Sequence, residues 1–297
     1  MALEFAGTLK LHELSPSNPA DHSLIPAIAR IHLVASLPNE LDDAVQDPSL
    51  SHGQIIAASR LKHLEILKSD ASSHYAVVLD VGVGGDDRTG HDEQRHPAPD
   101  QVIAWVKYDI IQSQKAEEER QDTGEIKYHP YTNRPPIHPV PELILASRQR
   151  IGKSLGAYVS VDQMAEEPSH GGRGAGRMLM EHIMKKADEL GLPATLDATP
   201  QNMNLYTSMG FHVVNELWVD MIRFDGGRDK GEAWSKDHHR TPGQGAGWYR
   251  QFAMIRQPQK ASFGVCSRDE VAEDHTGGGN KLGNPDSPWS WLDMNYE

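Results

Sequence analysis

The chain has 297 residues, and its 29 lysines and arginines against 42 aspartates and glutamates give a formal net charge of −13. This acidic balance argues against a nucleic-acid binder, whose surface is typically basic. Cys266 is the only cysteine, which excludes an intramolecular disulfide scaffold. No run approaches the roughly 20 apolar residues of a membrane span, and the first residues do not form a secretory signal. We therefore expect a cytoplasmic protein that does not bind membranes.

Hydrophobic patterning predicts strands and helices in mixed order along the first half of the chain. Ser23 is suited to cap a helix. A later helix is predicted because Leu61, Leu64 and Leu67 recur at helical spacing. The expected elements are a strand around Leu9 and Leu11, helices at 23–36 and 51–68, strands at 74–81 and 102–111, and a helix from Pro141 to about Gly152 or Gly156.

The second half continues the mixed order and contains the clearest turns. Thr199 is suited to cap a short helix, with Pro200 at its first position and Gly210 at its end. The other expected elements are strands at 158–166, 194–198, 211–224 and 248–256, and a helix that ends before Gly191. We predict one α/β (α+β) domain over 1–258, with polar inserts near 82–100, 112–140 and 225–247, and a flexible tail over 259–297.

The glycine-rich turn Gly171–Gly176, with the sequence GGRGAG, lies between a predicted strand and a strong helix. Glycines at a helix N-terminus leave backbone N–H groups bare, and the helix dipole adds partial positive charge there. This arrangement is typical of a pyrophosphate site. Neither the Walker loop nor the dinucleotide fingerprint fits, because no Lys-Ser/Thr pair follows and residue 177 is an arginine. A glycine-rich loop without a ligand is the alternative for this motif taken alone.

A second motif, LYTSMGF over Leu205–Phe211, follows after a further strand. The two motifs in this order resemble the GNAT superfamily of acyl-CoA N-acyltransferases. The resemblance covers about residues 8–258, and the last strand, ending in AMIRQP, looks like that of fungal-type GNAT proteins. It implies the GNAT fold, a mixed and mostly antiparallel twisted sheet flanked by helices, and transfer of an acetyl group from acetyl-CoA to an amine that attacks the thioester directly.

The same resemblance assigns residues to the cofactor. Main-chain groups of the strand before the glycine turn would pair with the pantetheine arm, and backbone amides of the turn would hold the pyrophosphate. The expected cofactor-binding residues are Met164, Ala165, Glu166, Gly171, Gly172, Arg173, Gly174, Ala175, Gly176, Arg177 and Thr199. Gly171 departs from the family pattern, which has Gln or Arg there, and we expect weaker cofactor binding for that reason. Glu166 stands where the family usually has an apolar residue.

Two side chains are predicted to be catalytic. Tyr206 occupies the motif position from which the family protonates the leaving thiolate, although packing against the cofactor is the alternative. Asp162 is the first choice for the general base that deprotonates the amine, and Glu166 and Asp197 stay open as further candidates. No HExxH or Cys/His spacing is present, so no metal is expected.

The acceptor is predicted to be a small molecule with a primary amine. A protein N-terminus or a lysine side chain is the alternative acceptor. A CoA-binding pseudoenzyme is the rival from another functional class, favoured by Gly171 and opposed by Tyr206.

Overall fold

A computed structural model describes residues 8–39, 49–82, 97–113, 140–223 and 229–259. The described strands are β1 (Leu9–Glu13), β2 (Ser73–Asp80), β3 (Val102–Ile111), β4 (Tyr158–Glu166), β5 (Ala194–Ala198), β6 (His212–Asp220) and β7 (Trp248–Arg256). The described helices are α1 (Pro19–His22), α2 (Ile25–Ser36), α3 (His52–Ser69), α4 (Val140–Leu155), α5 (Ala175–Leu190), α6 (Met203–Ser208) and α7 (Gly231–Asp237).

The seven strands form one sheet in the order β1-β2-β3-β4-β5-β7-β6. Neighbouring strands run antiparallel, except that β4 and β5 are parallel. Helices pack on both faces of this sheet. The predicted mixed fold with a mostly antiparallel sheet is therefore confirmed.

Helix α5 covers one face of the sheet. Its stripe of Leu179, Ile183 and Ala187 is fully buried, as the helical spacing predicts, and it packs in one core with Val159 and Phe252. The last turn ends at Gly191, whose φ of +67° is the left-handed conformation that closes many helices. This packing holds the N-terminus of α5 directly after β4.

Helices α2 and α3 cover the opposite face, where Ile28 and Leu67 pack against Trp105 of β3. Strands β2 and β3 are buried along almost their whole length. A strand covered on both faces is apolar at most successive positions, which explains why both strands have mostly apolar sequences; Lys107 and Asp109 of β3 are exceptions.

The two N-terminal helices differ from the prediction in detail. Helix α2 begins at Ile25, and Ser23 does not cap it, because the Ser23 hydroxyl donates to the Ala20 carbonyl at 2.6 Å within the preceding turn. Helix α3 begins after Ser51, which forms a capping box with Gln54.

The buried stripe of α3 also differs from the predicted one. Leu61 is 68% exposed, whereas Leu67 is 3% exposed. The helix buries Ile55, Ser59, His63 and Leu67, which lie four residues apart. The buried residues recur at helical spacing, as predicted, but two of them are polar. The prediction used only the leucines and therefore placed Leu61 on the buried face, which is wrong.

Two elements of the second half begin or end elsewhere than predicted. Helix α6 begins at Met203 after Asn202, so Thr199 is not its cap; the Thr199 carbonyl instead accepts the Asn202 N–H at 3.1 Å in a turn. Strand β6 ends at Asp220, whose carboxylate accepts the backbone N–H of Ile222 and holds Arg240. That turn ends the strand four residues before the predicted position.

The predicted inserts lie largely outside the described residues. Nothing is described at 83–96, at 114–139 or at 260–297, which includes nearly all of the predicted tail. Within the insert predicted near 225–247, residues Gly231–Asp237 form the short helix α7. The domain boundary after residue 258 and the flexibility of the tail stay predictions.

Candidate active site

The centre of the sheet opens between its two parallel strands. Strand β4 pairs with β5 only through Val159–Val161 against Ala194–Leu196. Beyond Val161, β4 continues to Glu166 and stays paired with β3 on its other side. The edge of β4 that faces β5 therefore has no strand partner in the described part of the chain. We call this opening the splay.

A cavity of about 770 Å³ lies at the splay. Its walls come from both strands and from the elements on either side. The lining residues on which the site depends are His32, Trp105, Arg148, Asp162, Met164, Ala165, Asp197, Thr199, Tyr206 and Gln251. Five residues predicted from the sequence, Asp162, Met164, Ala165, Thr199 and Tyr206, are thus brought together in one place.

The glycine turn connects β4 to α5, and its role as a phosphate cradle stays a prediction. A 3-10 turn at Pro168–His170 leads into it, and Gly172 and Gly174 have φ of +78° and +90°, which favours glycine over other residues. A Cβ built on either glycine would meet nothing within 4 Å. Gly174 is the N-cap of α5 and supplies no side-chain hydrogen bond. Because the first-turn N–H groups of a helix lack internal partners, they are available to an anion in the open space beside the turn.

The two arginines of this region, Arg173 and Arg177, pair with carboxylates of the protein itself. The Arg173 guanidinium binds Asp80 at 2.5 Å and Thr8 at 3.3 Å, so it ties the turn to β1 and β2. This hydrogen bond is the main reason why the pKa of Asp80 lies below its usual value. Arg177 is exposed and faces Glu181 at 3.8 Å along α5. The expected contribution of residues 172–176 therefore comes from the main chain.

Glu166 lies beneath the first turn of α5. Its Oε2 would be 3.9 Å from a Cβ built on Gly176. Its Oε1 is buried and accepts no hydrogen bond from a described residue. Burial raises the pKa of this carboxyl, while His170 and Arg173 oppose that shift. Its main chain belongs to the unpaired edge of β4, as predicted for the pantetheine contact.

Tyr206 projects into the cavity from α6. The residue is 6% exposed, and its ring packs edge-on against Phe211 with centroids 6.2 Å apart. Burial raises the pKa of its phenol to about 12. The hydroxyl is therefore protonated at neutral pH and can serve as a proton donor.

Charged residues span the splay on the face covered by α2 and α4. Arg148 of α4 donates through Nε to Asp197 Oδ2 at 2.5 Å and through Nη1 to Asp162 Oδ1 at 2.8 Å. Lys107 of β3 donates to Asp162 Oδ2 at 2.9 Å and to Asp109 Oδ1 at 3.0 Å. Burial alone would lower the pKa of Lys107 and of Arg148, but the neighbouring carboxylates raise both above their usual values.

Arg148 and Lys107 were not among the residues predicted from the sequence. Lys107 could have been found from the sequence, because it and Asp109 are the two charged residues of the mostly apolar strand β3, and a buried charge needs a partner. Arg148 could not have been found in this way, since it is one of several polar residues on α4 and its partners lie 14 and 49 positions away.

Comparison with known proteins adds independent information. Residues 148–211, which include both motifs, match the model of the acetyltransferase (GNAT) family. A search of curated proteins gives no significant match.

Solved structures similar to the chain include a mosquito arylalkylamine N-acetyltransferase like 5b, with 15% identity over 84% of this chain and 100% of that one and a TM-score of 0.52. Others are the Drosophila melanogaster polyamine N-acetyltransferase (15% identity, 84% and 99% coverage, TM-score 0.49) and Arabidopsis thaliana NAA60 (12%, 86% and 100%, 0.42). The mosquito structure supports the fold.

Two other features are absent from the described residues. Over the described ranges, no helix has the length and apolarity to cross a membrane. The same residues hold no cluster of three or more His, Cys, Asp or Glu side chains suited to a metal ion.

Proposed function

We propose that the chain is an acyltransferase of the GNAT superfamily that transfers an acetyl group from acetyl-CoA to the primary amine of a small molecule. The observation that carries this proposal is the cavity at the splay, which places Tyr206 and the unpaired edge of β4 beside a second, charged wall at Arg148. Its volume of about 770 Å³ lies in the range of about 300–1,000 Å³ that is usual for small-molecule pockets.

The glycine turn would hold the pyrophosphate of the cofactor. The space beside Gly172 and Gly174 is open, and the dipole of α5 favours negative charge at its N-terminus. Gly171 adds no side chain, and the Arg173 side chain is committed to Asp80. The cradle therefore depends on main-chain donors, which fits the expectation of weaker binding than in relatives with Gln or Arg at this position.

The unpaired edge of β4 would hold the pantetheine arm. Main-chain groups of Met164–Glu166 lack a partner on the β5 side, and an extended amide-bearing chain can add to such an edge as a strand would. A backbone N–H at the splay would polarise the thioester carbonyl in the manner of an oxyanion hole. The thioester then lies where β4 and β5 diverge, beside Tyr206.

Proton transfer is the remaining chemical task. An alkyl ammonium with a pKa near 10 is neutral in about one part in a thousand at pH 7, which costs roughly 4 kcal/mol. A cavity carboxylate would take this proton as a general base. Tyr206 would give a proton to the leaving thiolate, because its phenol stays protonated well above neutral pH.

Release of the CoA thiol tests the proposal. The purified protein is incubated with acetyl-CoA and a panel of small alkyl and aromatic amines, and with peptides that carry a free N-terminus or a lysine. We expect turnover with at least one small amine. Faster turnover with the peptides would instead identify a protein acetyltransferase.

Binding of acetyl-CoA without turnover on any acceptor would point to the rival function, a CoA-binding protein without catalysis. In that case Tyr206→Phe would leave every measured property unchanged. Binding is measured separately by calorimetry, so the two outcomes are distinguishable.

A further inference from the structure

Two carboxylates stand at the point where the splay begins. Asp162 is the first residue of β4 beyond the segment paired with β5, and Asp197 is the first residue of β5 beyond the same segment. Both line the cavity. Only one of them has an oxygen left over for an acceptor amine.

Both carboxylate oxygens of Asp162 accept hydrogen bonds from cationic side chains. Its Oδ1 accepts from Arg148 Nη1 at 2.8 Å and its Oδ2 from Lys107 Nζ at 2.9 Å. The Lys107 side chain is 4% exposed, so its ammonium depends on Asp162 and Asp109 for charge compensation. Protonation of Asp162 would deprive a buried cation of one of its two partners, which is unfavourable.

Only one carboxylate oxygen of Asp197 accepts a hydrogen bond from a described residue. Its Oδ2 accepts from Arg148 Nε at 2.5 Å, while its Oδ1 accepts no hydrogen bond from a described residue. The side chain is 10% exposed, and the residue lines the cavity. Arg148 thus holds the carboxylate by one oxygen, and the other oxygen has no hydrogen-bond partner among the described residues.

The two faces of the sheet separate the entering and leaving groups. Tyr206 packs in the core on the α5 side, together with Phe211 and Leu179. Asp197 is paired in register with Ala253, which packs against Ile151 of α4 on the opposite side. A proton donor for the thiolate and a proton acceptor for the amine thus face one splay from opposite sides.

We propose that Asp197 is the general base that deprotonates the acceptor amine, that Arg148 positions it, and that Asp162 is a structural ion-pair partner of Lys107. This proposal rests on the proposed acetyl transfer. In the reaction the ammonium gives one proton to Asp197 Oδ1, which passes it to solvent. The nitrogen lone pair then forms the C–N bond, the C–S bond breaks with its electron pair going to sulfur, and the thiolate gains one proton from Tyr206. The second N–H proton is lost to Asp197, and solvent carries a proton from Asp197 back to the Tyr206 phenolate.

The test compares two matched substitutions, Asp197→Asn and Asp162→Asn. Loss of a general base usually slows a reaction on the order of 10²- to 10⁴-fold, and we expect a fall of that size in kcat for Asp197→Asn, with the acetyl-CoA dissociation constant within about twofold of wild type. For Asp162→Asn we expect kcat within about tenfold of wild type and a lower midpoint of urea unfolding. The opposite pattern in kcat would overturn the proposal.

Chemical rescue separates catalysis from positioning. Sodium formate supplies a small carboxylate, and we expect it to raise kcat of Asp197→Ala at least about tenfold, while Asp162→Ala and Arg148→Gln do not respond. Rescue of Asp162→Ala, or no rescue of Asp197→Ala, would assign the base elsewhere. Arg148→Gln is expected to lower kcat less than Asp197→Asn, because the base itself remains in that variant.

The two proposals fail in different ways. If the wild-type protein turns over no amine, the proposed function fails and the base assignment falls with it. If the wild type is active and Asp197→Asn keeps its kcat, the acetyl transfer stands and only the base assignment is wrong.

Discussion

Tyr206 keeps its proton over the pH range in which most enzymes work, because burial raises the pKa of its phenol to about 12. We expect Tyr206→Phe to lower kcat by roughly 10²-fold, the lower end of the usual contribution of a general acid, with little change in acetyl-CoA affinity. In the wild-type protein, kcat measured between pH 6 and 10 should show no change that is due to deprotonation of Tyr206.

Tyr108→Phe is the matched control for that substitution. The Tyr108 hydroxyl is buried in the same core and donates to Glu13 at 3.0 Å, but it does not line the cavity. Its removal should cost stability and leave kcat unchanged. Equal losses of kcat in both variants would mean that the effect comes from packing rather than from proton donation.

Individual site residues were predictable where a local motif specifies them. LYTSMGF identified Tyr206, and the strand before the glycine turn identified Met164 and Ala165, all three of which line the cavity. The ion pairs of Arg148 were not predictable, because a salt bridge between residues 49 positions apart leaves no local pattern. The role predicted for Tyr206 stays a prediction, and for the general base the proposed Asp197 takes the place of the predicted Asp162.

Helix α3 shows how burial divides residues of identical type within one element. Leu67 is 3% exposed and packs against the sheet, whereas Leu61 is 68% exposed. Leu67→Ala should lower the free energy of unfolding by about 2–5 kcal/mol, as buried leucines usually do. Leu61→Ala should change it by less than about 0.5 kcal/mol. Urea unfolding of the two variants beside the wild type would measure both; similar losses would contradict the orientation of this helix.

Helix α5 has a glycine in the left-handed conformation at each end, which permits a controlled test of the phosphate cradle. Gly174 at its start has φ of +90°, Gly191 at its end has φ of +67°, and a Cβ at either position meets no atom within 4 Å. An aspartate therefore strains the backbone similarly at both positions. Only at Gly174 would its charge face the cofactor phosphates.

We expect Gly174→Asp to weaken acetyl-CoA binding by at least about 100-fold, since like charges in contact cost several kcal/mol and about 1.4 kcal/mol corresponds to a factor of ten. Gly191→Asp should bind acetyl-CoA normally while losing a comparable amount of stability. Calorimetric titration of both variants measures the difference. Normal affinity in Gly174→Asp would remove the cradle from this turn.

The bounds of helices and strands were predicted closely wherever the hydrophobic periodicity and the bounding glycine or proline residues indicated the same position. Strands β3, β4, β5 and β7 have the predicted bounds, and α5 ends at its predicted glycine. Errors occurred where tertiary contacts decide the boundary: the buried Asp220 ends β6 through its bond to Arg240, and α2 starts without a side-chain cap because it is buried against the sheet.

The molecule as a whole has one feature that periodicity could not reveal, which is the splay. Strands β4 and β5 have ordinary strand sequences, and their divergence after three paired residues is visible only in the register. The resemblance to a known family implied a strand edge that pairs with the pantetheine arm, but composition and spacing did not. Its charged wall, formed by side chains from α4, β3, β4 and β5, is a product of the assembled fold.

Acid sensitivity of the whole fold follows from two histidines packed between α2, α3 and the sheet. Burial lowers the pKa of His63 to about 3 and that of His32 to about 4, against an ordinary value of 6.5. Below pH 6.5 these histidines therefore bind protons in the unfolded chain but stay neutral in the folded chain. The free energy of unfolding falls as the pH decreases. For His63 alone the loss between pH 6.5 and 5 is about 2 kcal/mol, and His32 adds to it in the same direction.

The histidines lower the stability at a higher pH than the ion-paired carboxylates do. The pKa of Asp80 and that of Asp220 are lowered, so the stability that they contribute is lost only as the pH falls below about 4. Urea unfolding measured from pH 7 to 4.5 should thus show a decline that His63→Gln reduces by about 2 kcal/mol at pH 5, even if that variant is less stable at pH 7. The exposed His52→Gln is the control and should keep the wild-type slope. A flat profile in the wild type would mean that His63 is hydrated in the folded protein, and its place in the apolar core beside Trp105 would then have to be revised.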